Sequence, residues 1–133
     1  MATHANVLRA VRRQFEKSSG FRLAGSTNVK FHSIYGRTLR RFLDKGKKSR
    51  VDPWGSKVFR RWVLLETSRI GREARRRAGG NDLTPDHLRA AALKVMRAAK
   101  AKYRVWMPSD GFPFQVRSAD FEDCDLCAEF TAR

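Results

Sequence analysis

The sequence predicts an all-α protein: a three-helix bundle with an additional N-terminal helix and an extended C-terminal tail. Three observations carry this. Apolar residues recur at helical spacing in four separate stretches. Start and stop residues punctuate those stretches where helices would begin and end. Beyond Pro108 the periodicity disappears, although aromatic residues continue.

The first fifteen residues place Val7, Leu8, Val11 and Phe15 at helical spacing. A polar stretch from Ser18 to Asn28, with Gly20 and Gly25, reads as a linker lying over a surface, so residues 1–28 form an N-terminal helix and linker. Phe31, Tyr35, Leu39 and Phe42 follow an i, i+4, i+8, i+11 pattern, which predicts a helix over about 29–44, ended by Lys45, Gly46, Lys47 and Lys48. Asp52-Pro53 disfavours helix before the proline and places a turn between 47 and 55. From Ser56 to Ala78 the stripe is Phe59, Trp62, Val63, Ile70 and Ala74, with Ser56 as N-cap and Gly79-Gly80 as stop. Thr84, Pro85 and Asp86 open another helix as cap, first residue and dipole partner. Its apolar face is Leu88, Ala91, Ala92, Val95, Met96, Ala99 and Tyr103, whose alanines permit close helix approach. Residues 29–104 are thus the three-helix body. Residues 105–133, with Phe112, Phe114, Phe121 and Phe130, read as an extended tail laid across another protein.

A chain of 133 residues suits one domain, and 41% hydrophobic content suffices for a core despite 32% charged residues. The net charge is +16, unevenly placed: residues 1–104 hold 27 basic and seven acidic residues, the tail two basic and six acidic. A field of that sign attracts polyanions or acidic protein surfaces. Two cysteines are too few for a disulfide scaffold, which favours an intracellular or organellar setting. No apolar run approaches the ~20 residues needed to cross a bilayer, so membrane association is expected only through a partner. The acid-free start with Arg9, Arg12 and Arg13 has the character of an uncleaved mitochondrial targeting helix; a basic surface helix is the alternative.

No catalytic constellation emerges. His4, His32 and His87 lie far apart without a nucleophile motif, and no glycine-rich phosphate loop is present, so a non-enzyme is expected, with His87 an exposed polar residue. Cys124-Asp-Leu-Cys127 has the spacing of half a zinc site but lacks a second pair; two ordinary thiols are expected and no metal. The arginines carry more information. Arg37, Arg40 and Arg41, then Arg60 and Arg61, then Arg72, Arg75, Arg76 and Arg77 exceed what local ion pairs require and point to an anionic partner.

The segment Ile34-Tyr35-Gly36-Arg37-Thr38-Leu39-Arg40-Arg41-Phe42 resembles the signature of the LYR family of small mitochondrial three-helix proteins. Ile34, Tyr35 and Leu39-Arg40 stand at signature positions, with Gly36 in place of the signature arginine and Arg37 one residue on. Ile70-Gly71-Arg72 and the later Leu83-Thr84-Pro85-Asp86 are similar to the end of that family's second helix and the start of its third. The resemblance spans roughly residues 31–103. It implies docking of mitochondrial acyl carrier protein, whose acyl-phosphopantetheine enters between the helices, with no cofactor of the chain's own. By that resemblance Tyr35, Arg37, Arg40, Arg41 and Arg72 are interface candidates, while Ile34, Leu39, Phe42, Trp62 and Val95 line the acyl groove or the core.

Among the roles this family fills, an acidic aromatic tail favours a permanent accessory subunit of respiratory complex I, on the matrix side of the inner membrane and serving electron transport. An assembly factor or a mitochondrial ribosomal protein is the alternative. A further one keeps the helices and changes the partner to DNA or RNA, because the order of helices and the Leu83-Thr84-Pro85-Asp86-His87-Leu88 entry also resemble a histone fold.

Overall fold

The computed structural model describes residues 3–48, 53–55 and 57–105. Several side chains in these helices, among them those of Arg37, Arg41, Phe42, Phe59, Met96 and Tyr103, lie outside the described set. So do residues 106–133, which hold most of the expected tail, and the expected cap Ser56. Four helices form: α1 (His4–Ser19), α2 (Gly25–Lys48), α3 (Lys57–Ala78) and α4 (Pro85–Val105), with a short 3-10 turn at Pro53–Gly55 before α3. No strand occurs among the described residues.

Each boundary has a local cause. Thr3 caps α1 by accepting from the Asn6 N–H at 3.2 Å. Gly20 ends it in the left-handed region, at φ 79°, and donates to the Glu16 carbonyl at 2.9 Å. The linker is shorter than the composition suggests, because the Ala24 carbonyl already accepts from the Thr27 hydroxyl at 2.7 Å and from the Asn28 N–H. It is also stitched to α1: Arg12 donates to the Leu23 carbonyl and Glu16 accepts from the Leu23 N–H, both at 2.7 Å. At its other end α2 runs through Gly46 to Lys48. One interior glycine costs only about 1 kcal/mol, too little to stop a helix otherwise rich in lysine and arginine.

The entry to α4 is a reciprocal cap. Thr84 Oγ1 accepts from the His87 N–H at 3.1 Å, while His87 Nδ1 accepts from the Thr84 N–H at 3.2 Å. The imidazole fills the place that glutamate takes in the usual capping box. His87, expected as an exposed polar residue, is therefore partly buried and structurally engaged.

The helices pack as a four-membered ring. The most extensive contact is α1 on α3, followed by α3 on α4, α2 on α4 and α1 on α2, so α2 and α3 face each other across a diagonal. Contacts fix the directions. Gln14 meets Ser68 and Ser18 meets Gly71, so α1 and α3 run parallel. His4 meets Gly36 and Phe15 meets Phe31, so α1 and α2 run antiparallel. The core combines Val7, Val11 and Phe15 of α1, Leu23 of the linker, Phe31, Ile34 and Leu39 of α2, Val63, Ile70 and Ala74 of α3, and Leu88, Ala91 and Ala92 of α4. The N-terminal helix thus shares one core with the three helices that follow it.

At the α1–α3 seam, a Cβ on Gly71 would run into Ser18 Oγ and stand 3.2 Å from the Phe15 carbonyl oxygen. Ser18 keeps its own profile low by turning its hydroxyl back onto the Gln14 and Phe15 carbonyls. Glycine here buys the close approach of two helix backbones.

Candidate anion-binding surface

One face of α3 carries Lys57, Arg61, Leu65, Ser68, Arg72 and Arg75, of which Ser68 is buried beneath Gln14 of α1. At 100° per residue these six positions fall within about 80° of one another, and they run along about 27 Å of helix. Lys57, Arg61, Arg72 and Arg75 are exposed, and none makes an ion pair with a described residue. Leu65, midway along, is 43% exposed.

Where the stripe meets α1 it forms a shallow, open depression of about 440 Å³, lined by Gln14, Lys57, Arg60, Arg61, Leu64, Leu65 and Ser68. Gln14 Nε2 donates to Ser68 Oγ across the seam, and Arg60 donates to the Trp54 carbonyl at 3.1 Å, which ties its wall to the turn before α3. Three cations and two leucines line it, and no acid is among the described residues that do.

The adjoining edge of α3 is different. The Glu73 carboxylate accepts from Arg76 at 2.6 and 3.1 Å, from Arg77 at 3.1 Å and from Lys94 of α4 at 3.4 Å. The Arg76 hydrogen bond is the main cause that pulls the Glu73 pKa from 4.5 down to about 2. Arg69 similarly pairs with Glu66 at 2.8 Å.

The residues expected from the family signature separate into two groups. Ile34 and Leu39 are buried in the core, and Tyr35, Trp62 and Val95 are partly buried against it. Tyr35 stacks on Phe31 with ring centroids 4.6 Å apart, and its hydroxyl donates across the diagonal to Thr67 Oγ1 at 3.3 Å. Thr67, fully buried, donates in turn to the Val63 carbonyl at 2.7 Å. Burial raises the Tyr35 phenol well above its ordinary pKa, so it stays a neutral hydroxyl. Arg40 and Arg72 are exposed, but on diagonally opposed helices, so they do not share one patch. Side chains of Arg37, Arg41 and Phe42, together with Cys124 and Cys127, lie outside the described residues.

Lys57, Leu65 and Ser68 were not among the residues singled out by the sequence. Their signal is the continuous 57, 61, 65, 68, 72, 75 spacing, which joins arginine clusters that read as separate runs. Among the described residues no group of three or more His, Cys, Asp or Glu side chains could hold a metal, and no helix is long and apolar enough to cross a membrane. Comparison with protein-family models, curated proteins and solved structures finds no match to this chain.

Proposed function

We propose that the chain is a non-catalytic helical adaptor that docks an acidic protein surface along the α3 stripe. The observation that carries this reading is the difference in pairing. Arg69, Arg76 and Arg77 are paired within the fold, whereas Lys57, Arg61, Arg72 and Arg75 on the same helix pair with no described residue. An acidic helix laid along the stripe would offer carboxylates to guanidiniums that bind them bidentately, and an apolar residue to Leu65.

The finer reading follows the resemblance of the α2 segment to the LYR signature. The partner is then mitochondrial acyl carrier protein, which brings its own acyl-phosphopantetheine. The setting is an accessory subunit of respiratory complex I on the matrix side of the inner membrane. Arg40, exposed on α2, provides a second contact point outside the stripe.

Calorimetric titration of the full-length protein with acyl carrier protein tests both levels. Binding is expected, and the charge reversals Arg61→Glu and Arg72→Glu should each weaken it about tenfold or more, since like charges across an interface cost several kcal/mol, with the helical circular dichroism unchanged. Failure to bind this carrier but retention of another acidic protein would remove the finer reading alone. Tight duplex binding that falls by roughly 0.9 log units per log unit of salt for each phosphate contact would instead identify a nucleic-acid partner.

A further inference from the structure

α1 and α3 approach each other closely where both carry cations. An ideal Cβ on Gly71 would stand 3.0 Å from Ser18 Cβ, so the two backbones nearly touch at this level. Lys17 precedes Ser18 and Arg72 follows Gly71. With consecutive Cα atoms 3.8 Å apart, those of Lys17 and Arg72 lie no more than about 14 Å from each other, a gap that two long side chains close between them.

Both helices turn their cations to the same side. Around the α1 axis Lys17 and Arg13 lie about 60° and 100° from Gln14, on the side away from the buried Val11 and Phe15. Around the α3 axis Arg72 and Arg75 lie within about 40° of Ser68, away from the buried Thr67 and Ala74. Gln14 and Ser68 meet at the seam, so all four cations rise on its solvent side. None of them makes an ion pair with a described residue. The acids nearest in sequence are engaged elsewhere. Glu16 accepts from the Leu23 N–H at 2.7 Å and pairs with Arg12 at 3.9 Å, and Glu73 is held by Arg76, Arg77 and Lys94. Like charges kept this close repel, and an anion laid across the seam turns that repulsion into attraction on both sides.

We propose that Arg13 and Lys17 of α1 join Arg72 and Arg75 of α3 in anchoring the acidic partner, whose docking helix crosses the α1–α3 seam instead of following α3 alone. The dimensions suit a helix. Axes of packed helices are about 8–10 Å apart and a helix is about 10–12 Å across, so one helix on the seam faces a row of cations on each flank. Its carboxylates one turn apart are about 6 Å from each other, which lets neighbouring ones reach opposite banks. Arg13 and Arg72 take them bidentately, and Lys17 adds a point charge. The N-terminal helix is thereby a binding element as well as a core element. The inference rests on the α3 stripe being an anion-binding surface, to which it adds α1.

The full-length protein is titrated at low salt with an alanine-based helical peptide bearing glutamates at i and i+4. Lys17→Gln and Arg72→Gln should each weaken binding about threefold or more. Arg97→Gln, which removes an equal charge from α4 on the diagonal opposite α1, should leave affinity within about twofold of the unaltered protein. In the double variant Lys17→Gln/Arg72→Gln the loss should depart from the product of the single losses, because residues that share a partner group do not act independently. A loss with Arg72→Gln and none with Lys17→Gln would overturn the role of α1 and leave the stripe standing. Losses with neither would remove both. An equal loss with Arg97→Gln would assign binding to overall charge and overturn the proposal, as would binding of a short DNA duplex without binding of the peptide.

Discussion

Two edges of α3 carry similar numbers of cations and meet opposite fates. On the edge toward α4, Glu73 gathers Arg76, Arg77 and Lys94, and its side chain is only 12% exposed while its partners reach in from solvent. On the other edge, beside the α1 seam, Lys57, Arg61, Arg72 and Arg75 make no ion pair with a described residue. The first cluster is consumed in joining two helices. The second is a field directed outward, and net charge of that kind acts on partners and association rates rather than on fold. Arginine count alone does not separate the two; the positions of Glu66 and Glu73 do.

Both edges depend on one scaffold, so the largest expected effect removes them together. Phe31→Ala deletes a fully buried ring that packs against Phe15 and Tyr35 and should destabilise by about 3–5 kcal/mol in denaturant unfolding. Gly71→Ala acts on the α1–α3 seam alone. Its Cβ meets Ser18 and the Phe15 carbonyl, which should cost about 1–3 kcal/mol and loosen the walls of the depression.

The paired edge should titrate. Glu73 has a folded pKa of about 2 against an ordinary 4.5, so its contribution is fully present above about pH 4.5 and is lost as pH falls toward 2. Glu73→Gln should remove that acid-range slope and cost about 1 kcal/mol at neutral pH, the value kept low because the partners are solvated. The smallest effect belongs to Tyr35→Phe. It removes one hydrogen bond to Thr67, whose own bond to the Val63 carbonyl remains, and should cost about 0.5–1.5 kcal/mol. An effect of Tyr35→Phe on partner binding that exceeds its effect on stability would show that the tyrosine has an interface role beyond the core.

Most of the fold was legible in the sequence because its signals are local. Val7, Val11 and Phe15 repeat at helical spacing, and Thr84-Pro85 opens α4 where the cap residues stand. What escaped was long-range. Thr67 is fully buried although polar, because its hydroxyl is satisfied by the Val63 carbonyl on its own helix and meets Tyr35 from across the core. The polar linker is held by Arg12 and Glu16, which read as surface charges until the chain doubles back on them. The site was only half legible for the same reason. The arginine runs could be counted, but which members are neutralised depends on Lys94 arriving from α4 and on α1 covering one shoulder of α3.

The most direct test of the account compares two charge-matched variants of the full-length protein, Arg61→Gln/Arg72→Gln and Arg76→Gln/Arg77→Gln, in their affinity for acyl carrier protein. Each loses two positive charges, so net charge is held equal. The account predicts that the first pair loses about tenfold or more in affinity with stability unchanged, while the second loses stability and retains most of its binding. Equal losses of affinity in both would show that the partner responds only to overall charge, and would contradict a docking role for the α3 stripe.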